Sequence, residues 1–216
     1  MTESRREREK EGRRNLIVDT AEKVFFEKGY DLATMDEIAK LSEFTKKSVY
    51  SYFPTKDELF AAVVLRAIIV LDRLFTEAVS EECSGYDSIC RIGDAYIRFY
   101  KDYPVYFRML SIRRSGSGEK GGEYRSSIEK HGSDAFRKMV AGFVRGQKDG
   151  TIRKDIDPTM GSLHVMSVSN GILELVMGGQ GTFRKRFGVS EESFIRNSMQ
   201  LIGDSIGAVK KQGEKK

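Results

Sequence analysis

The stretch from Ile17 to Phe60 constrains this chain more than any other. Its apolar residues recur at helical spacing in three groups: Ile17, Ala21, Val24 and Phe25; then Met35, Ile38 and Ala39; then Val49 and Phe53. Gly29-Tyr30 stops the first helix. Thr34 opens the second as N-cap, and Glu37 three residues on completes a capping box. After a break at Ser42-Glu43-Phe44, Thr45 caps a third, very short helix. Pro54 ends it, because proline disfavours helix at the residue before it. Two short helices joined by a tight turn and braced by a longer one is the helix-turn-helix plan, whose second short helix enters the DNA major groove.

The outward side chains of the third helix suit that role. Val49 and Phe53 share one face and must be buried. Lys47, Tyr50 and Ser51 lie away from it, with Lys46 and Ser48 near the free N-terminal end. Lysine can donate to guanine acceptors, and serine pairs with several base edges. Tyr50, Tyr52 and Lys56 suit phosphate oxygens, and Lys56 sits where the next helix offers free N–H groups to the same phosphate. With the capping threonines, the expected DNA-contacting set is Thr34, Thr45, Lys46, Lys47, Ser48, Tyr50, Tyr52 and Lys56. The bland alternative is a packed three-helix unit with surface lysines.

Ala21, Phe25, Lys28-Gly29-Tyr30, Thr34, Ile38-Ala39, Val49-Tyr50, Tyr52-Phe53 and Lys56-Asp57-Glu58-Leu59 together resemble the TetR family of one-component transcriptional regulators, without a gap across the stretch. The resemblance implies an all-α fold with an N-terminal three-helix helix-turn-helix domain and a C-terminal helical bundle. It also implies double-stranded operator DNA as partner, a homodimer, and a small effector ligand. Two positions depart from the family pattern. Ser42-Glu43 stands where Ala-Gly is common, and a positive φ is costly for glutamate. Lys47 stands where the family often has glycine. Both bear on the base-contact pattern and not on the fold.

Composition agrees with a helical chain. Only three prolines occur in 216 residues, and no β-like alternation runs along them. No run of eighteen apolar residues predicts a membrane span. The charged N-terminus predicts no secretory signal, so a cytoplasmic location is expected, with Cys83 and Cys90 as reduced thiols. The net charge of +5 invites a nucleic-acid reading, but residues 1–60 hold 12 Lys/Arg against 13 Asp/Glu. The basic excess sits elsewhere, at Arg113-Arg114, Arg184-Lys185-Arg186 and the tail lysines 210, 211, 215 and 216, where a solvated surface is the simpler reading. Residues 1–14 are dense in both signs and read as a mobile arm or an extension of the first helix. The expected domains are therefore 1–55, including that arm, and 56–216.

The second domain reads as helices from Thr55 to about Ser80, from the break at Cys83-Ser84-Gly85 to Tyr103, and onward from Pro104. A loop-like stretch at 111–122 follows, then helices from Tyr124 to Gln147, from Asp157-Pro158 to Gly178-Gly179, and from Ser190 to near Val209. Aromatic residues crowd its middle. A bundle can bury them as core, or keep a cavity among them lined by aromatics and a few polar groups. Tyr96, Phe99, Tyr103, Phe107 and Phe143 are the expected lining for a small apolar ligand. Asn170 and Glu174, which share a helical face with Ser167, are the expected polar end.

The last two helices carry small residues among apolar ones, Gly171 beside Ile172, Leu175 and Val176, and Gly203 and Gly207 beside Leu201, Ile202 and Ile206. Such surfaces allow close helix approach, and the resemblance implies a dimer through them. No catalytic signature is found. Two histidines and two cysteines form no metal-ligand spacing, and no glycine-rich phosphate loop follows a strand. Neither a cofactor nor a metal is expected. The competing class is a helical DNA-associated or adaptor protein with a filled core and no effector.

Overall fold

Helix caps and stops written into the sequence set most of the element boundaries. In the computed structural model, residues 5–79, 82–114, 122–179 and 181–208 are described, and among them there are helices and no strand. The order is α1 (Arg5–Leu32), α2 (Met35–Leu41), α3 (Lys46–Tyr52), α4 (Lys56–Ala78), α5 (Gly85–Asp102) and α6 (Pro104–Arg114). A 3₁₀ turn at Gly122–Tyr124 leads into α7 (Arg125–Asp149), then α8 (Pro158–Gly178), α9 (Phe183–Phe187) and α10 (Glu191–Ile206). The side chains of Thr34, Thr45, Asp157 and Ser190 each accept a backbone N–H at their helix starts, offsetting donors the first turn leaves unpaired. No described helix is long and apolar enough to cross a membrane.

The chain folds into two compact units that interleave along the sequence instead of meeting at residue 55. The first comprises Met1–Val70 and Tyr103–Gly132, the second Leu71–Asp102 and Ser133–Lys216. Residues 115–121, within the expected 111–122 loop, and the tail lysines lie outside the described residues.

In the first unit α1 buries Ile17, Val18, Ala21, Val24 and Phe25. The expected stop is real: Gly29 adopts φ 78°, a left-handed value, and interrupts the helical dihedrals before Leu32. The turn brings Tyr30 against Phe60, ring centroids 4.9 Å apart, while Phe25 meets Phe60 edge-on at 5.3 Å. Arg66 of α4 then ties α1 down. One guanidinium nitrogen lies 2.6 Å from Asp19 and 2.8 Å from Glu22, and another donates to the Asn15 side chain at 2.8 Å. Tyr106 of α6 donates to Glu22 as well, at 3.2 Å. Burial, reinforced by that carboxylate, pushes the Tyr106 phenol up to about 12, so it remains a neutral donor across physiological pH. The charged first residues form the start of α1 from Arg5 and not a free arm.

In the second unit glycines let helices touch. A Cβ on Gly85 would stand 2.0 Å from the Gly146 backbone nitrogen, so α5 can start against α7 only without side chains at that point. Gly161 admits the Phe143 ring in the same way. The end of α10 is pinned by backbone bonds, Arg153 N–H to Ile206 O at 3.1 Å and Ala208 N–H to Thr151 O at 2.9 Å. These end the helix at Ile206, short of the expected Val209, which lies outside the described residues. The sequence reading missed α9, whose Phe183 is buried against Phe187 and Phe194.

Candidate nucleic-acid interface

The helix-turn-helix is anchored from inside. Val49 of α3 and Phe53, which caps its end, are fully inaccessible, as are Ile38 of α2 and Phe25 of α1, with Met35 and Ala39 almost so. Because these fix the inner face of α3, Lys46, Lys47, Tyr50 and Ser51 must face solvent, and all four are exposed. Their spacing of one, three and one makes a single helical stripe. The stripe carries two cations, two hydroxyl groups and no carboxylate. Lys46 pairs with Asp36 at the start of α2, an exposed contact that costs little to exchange for a phosphate. Ser48 is half-buried, and its N–H donates to the Thr45 hydroxyl at 3.2 Å. Thr34 does the same for Glu37 N–H at 3.2 Å. The two threonines thus set the starts of α2 and α3. Tyr52 is half-buried at the far end of α3.

The turn between α2 and α3 bears out the strain expected of Ser42-Glu43. Glu43 sits at φ 61°, the sole non-glycine residue with positive φ among the described residues. Ser42 is buried, and its hydroxyl donates to Ile38 O at 2.7 Å, so the extra oxygen relative to alanine is satisfied. Left-handed backbone costs an L-residue about 1–2 kcal/mol relative to glycine. Glu43→Gly should therefore raise the stability of the chain by about 0.5–1 kcal/mol after the larger entropy of the unfolded glycine chain is counted. The measurement is the urea midpoint at unchanged slope. A lower midpoint would show that the Glu43 side chain contributes more than the strain costs.

Lys56 holds a position that its place in the sequence did not reveal. Its ammonium donates to Tyr30 O at 2.8 Å and Ala33 O at 3.2 Å, and lies 4.3 Å from the Tyr30 ring centroid. It caps the carbonyls left open where Gly29 breaks α1. The Tyr30 hydroxyl donates to Asp57, and burial together with that carboxylate pushes its pKa up. Lys56→Ala should accordingly cost about 1–3 kcal/mol of stability, read from chemical unfolding in the absence of DNA. No change would leave Lys56 free to act on phosphate alone.

Arg14 is likewise occupied. It donates to Glu123 and to the Tyr124 hydroxyl, and its guanidinium stacks 5.5 Å from the Phe53 ring centroid and 5.2 Å from that of Tyr124. No local signal in the sequence marked residues 122–124 as part of the first unit.

Of the aromatic residues expected to line a ligand cavity, Tyr96, Phe99, Phe107 and Phe143 are buried core, and Tyr103 is half-buried. Phe99, Phe107 and Phe143 are wholly inaccessible, so no space as large as a water molecule borders them. Tyr96 is buried, stacks on Phe99, and donates its hydroxyl to Asn170 Oδ1. Asn170 Oδ1 is thereby engaged within the protein. Tyr103 and Phe107 belong to the first unit and the other five residues to the second. Tyr103 stacks on Tyr106 at 6.2 Å, and Glu174 is half-buried.

A cation-bearing, carboxylate-free α3 on a rigid three-helix head defines a helix-turn-helix DNA-reading unit. Residues 17–63 match the model of the tetR family of bacterial regulatory proteins. It is 28% identical to the HTH-type transcriptional regulator YhgD of Bacillus subtilis over 98 residues, 45% of this chain, and spans about half (51%) of that relative's length. To the HTH-type transcriptional repressor KstR2 of Rhodococcus jostii it is 27% identical over 149 residues, covering 68% of this chain and 72% of that one. The fold is shared with AibR, solved in complex with isovaleryl coenzyme A and operator DNA. There the TM-score is 0.67 at 17% identity, covering 88% of this chain and 97% of AibR.

Proposed function

We propose that this protein is a transcriptional repressor that binds an inverted-repeat operator as a homodimer and leaves it when a small apolar effector binds. The observation that carries the reading is the exposed stripe of Lys46, Lys47, Tyr50 and Ser51 on a helix locked from behind by Val49 and Phe53. Lys47 and Ser48 read bases in this proposal. Lys46, Tyr50 and Tyr52 meet phosphates, Lys56 braces the head through the Tyr30 and Ala33 carbonyls instead of reaching phosphate, and Thr34 and Thr45 hold the helix starts whose N–H groups face the backbone. KstR2 is a repressor, and AibR was solved with both isovaleryl coenzyme A and operator DNA, which supports the same division of labour here. The protein acts where the chromosome is, in the cytoplasm, and no catalytic role is assigned to it.

In this proposal the dimer uses α8 and α10. Met160, Leu163 and Leu175 of α8 are exposed, and Leu201 of α10 is 69% exposed. Gly171 lies on the same face of α8 with nothing near its missing side chain, so its helix-weakening lack of a Cβ has no use inside the protomer. Exposed apolar helix faces of this kind mark an interface. Ile202 and Ile206, by contrast, are buried within the protomer. A charge placed there would unfold the second unit before it tested the dimer.

The test is binding of DNA from upstream of the protein's own coding sequence, followed by fluorescence anisotropy over a range of salt. A dimer that binds tightly, with affinity falling linearly in logarithmic salt, is the expected result. Failure to prefer any sequence over random DNA would sink the proposal. The close-packed aromatics favour a second reading, a DNA-binding dimer without effector. Operator release by a compound separates the two.

A further inference from the structure

The second unit carries a groove of about 400 Å³ along α5, α8 and α10 that the aromatic set does not line. The helices α5 and α10 run antiparallel beside it. Tyr86, at the start of α5, has its hydroxyl 2.7 Å from where a Gly203 Cβ would stand, near the end of α10. Lys101, at the end of α5, is 4.0 Å from Glu192 at the start of α10. Fifteen residues of α5 separate these ends, about 22 Å at the α-helical rise. The floor between them is apolar, with Ile89, Ile97, Val165, Ile195, Met199 and Ile202.

The polar groups sort by end. Lys101 and Arg196 flank one end against the single carboxylate of Glu192. Tyr86 and Cys90, hydrogen-bonded to each other, close the other, and burial pushes the Cys90 thiol up so that it stays neutral. Asp94 and Gln200 stand on the lips between. Gly93 is the independent sign that the space is kept. It lies in the interior of α5 facing the groove, and a Cβ built there meets nothing within 4 Å. A glycine costs a helix interior about 1 kcal/mol relative to alanine. Among the described residues no packing requires that cost, and the space beside Gly93 stays open to an occupant of the groove.

We propose that this groove binds an amphipathic anion with one long unbranched alkyl chain, its head at Lys101 and Arg196 and its chain along the isoleucine floor towards Tyr86. An extended apolar trough suits a linear chain, and the two cations gathered at one end orient it. The site rests on reading the second unit as the sensor, and it gives that sensor a ligand class.

The experiment uses the full-length protein without DNA. Calorimetry with octanoate, decanoate and laurate below their micellar concentrations should show Kd tightening by roughly tenfold for each two added carbons. Dodecanol and dodecylammonium should bind at least tenfold more weakly than laurate. Dodecyl phosphate serves as a second anion, and whichever of it and laurate binds tighter names the head group. Gly93→Phe should abolish laurate binding while leaving the circular dichroism spectrum and operator affinity unchanged. Lys101→Glu with Arg196→Glu should reverse the preference towards dodecylammonium, which keeps the test decisive if Gly93→Phe misfolds. Equal binding of the three dodecyl head groups, or laurate binding untouched by either variant, overturns the proposal, as does no binding at all. Laurate bound in the groove with operator affinity unchanged upholds the site and sinks the sensor reading instead.

Discussion

Glutamate at Leu175 and Leu201 together should convert the dimer to a monomer and lower operator affinity at least about a hundredfold. Both leucines are exposed in the protomer, so neither substitution disturbs the folded chain by itself. In a dimer closed by these faces each would strand an unpaired charge, a penalty of several kcal/mol per ion. Two such penalties exceed the roughly 2.7 kcal/mol that a hundredfold change represents. Affinity follows assembly because one head reads only one half-site. Sedimentation velocity reads the mass, and anisotropy with the upstream operator reads the affinity. Ile202→Asp provides the contrast, since it should cost helix content as well as mass. A double glutamate variant that sediments as a dimer would move the interface elsewhere.

Lys47→Ala should change which operators are preferred, and by more than any other single substitution on α3. Lys47 is exposed in the middle of the cationic stripe with no carboxylate on its own helix. A good base contact is worth about 1–3 kcal/mol, or about 5- to 150-fold at one position of the site. Selection from a randomised operator library reads this directly. The variant should lose preference at one symmetric pair of positions while its salt slope changes little. By comparison Lys46→Ala, whose ammonium sits at the helix start beside Asp36, should weaken all sequences alike and flatten the slope by about one. If Lys47→Ala leaves the selected sequence unaltered, Lys47 is a phosphate contact or none.

Local chemistry made the helical frame legible. Thr34, Thr45, Asp157 and Ser190 each cap the helix the sequence assigned to them. Gly29 breaks α1 where a stop was expected, and Glu43 takes the positive φ that its place in the turn demands. These are interactions between neighbours in sequence, so the residues state them. The units were not legible, because what joins residues 103–132 to the head is contact over long separations. Arg14 reaches Glu123 and Tyr124, and Tyr106 reaches Glu22. The ligand site went astray for a related reason. Aromatic residues at helical spacing look the same whether they line space or fill it, and only the zero accessibility of Phe99, Phe107 and Phe143 decides. Gly93 was present in the sequence, but a helical glycine has meaning only once its surroundings are known.

The interleaving of the two units has a mechanical consequence. The chain passes from one unit to the other inside α4, through the single residue Tyr103, and inside α7. Two of these passages are continuous helix, and α4 alone is 23 residues, roughly 34 Å of stiff rod. A helix does not absorb a twist as a glycine-rich tether would. The same wiring sets a limit for protein engineering. The reading head cannot be lifted out by one cut and grafted elsewhere. A chimaera would need three junctions, two of them in phase with the turn of a helix.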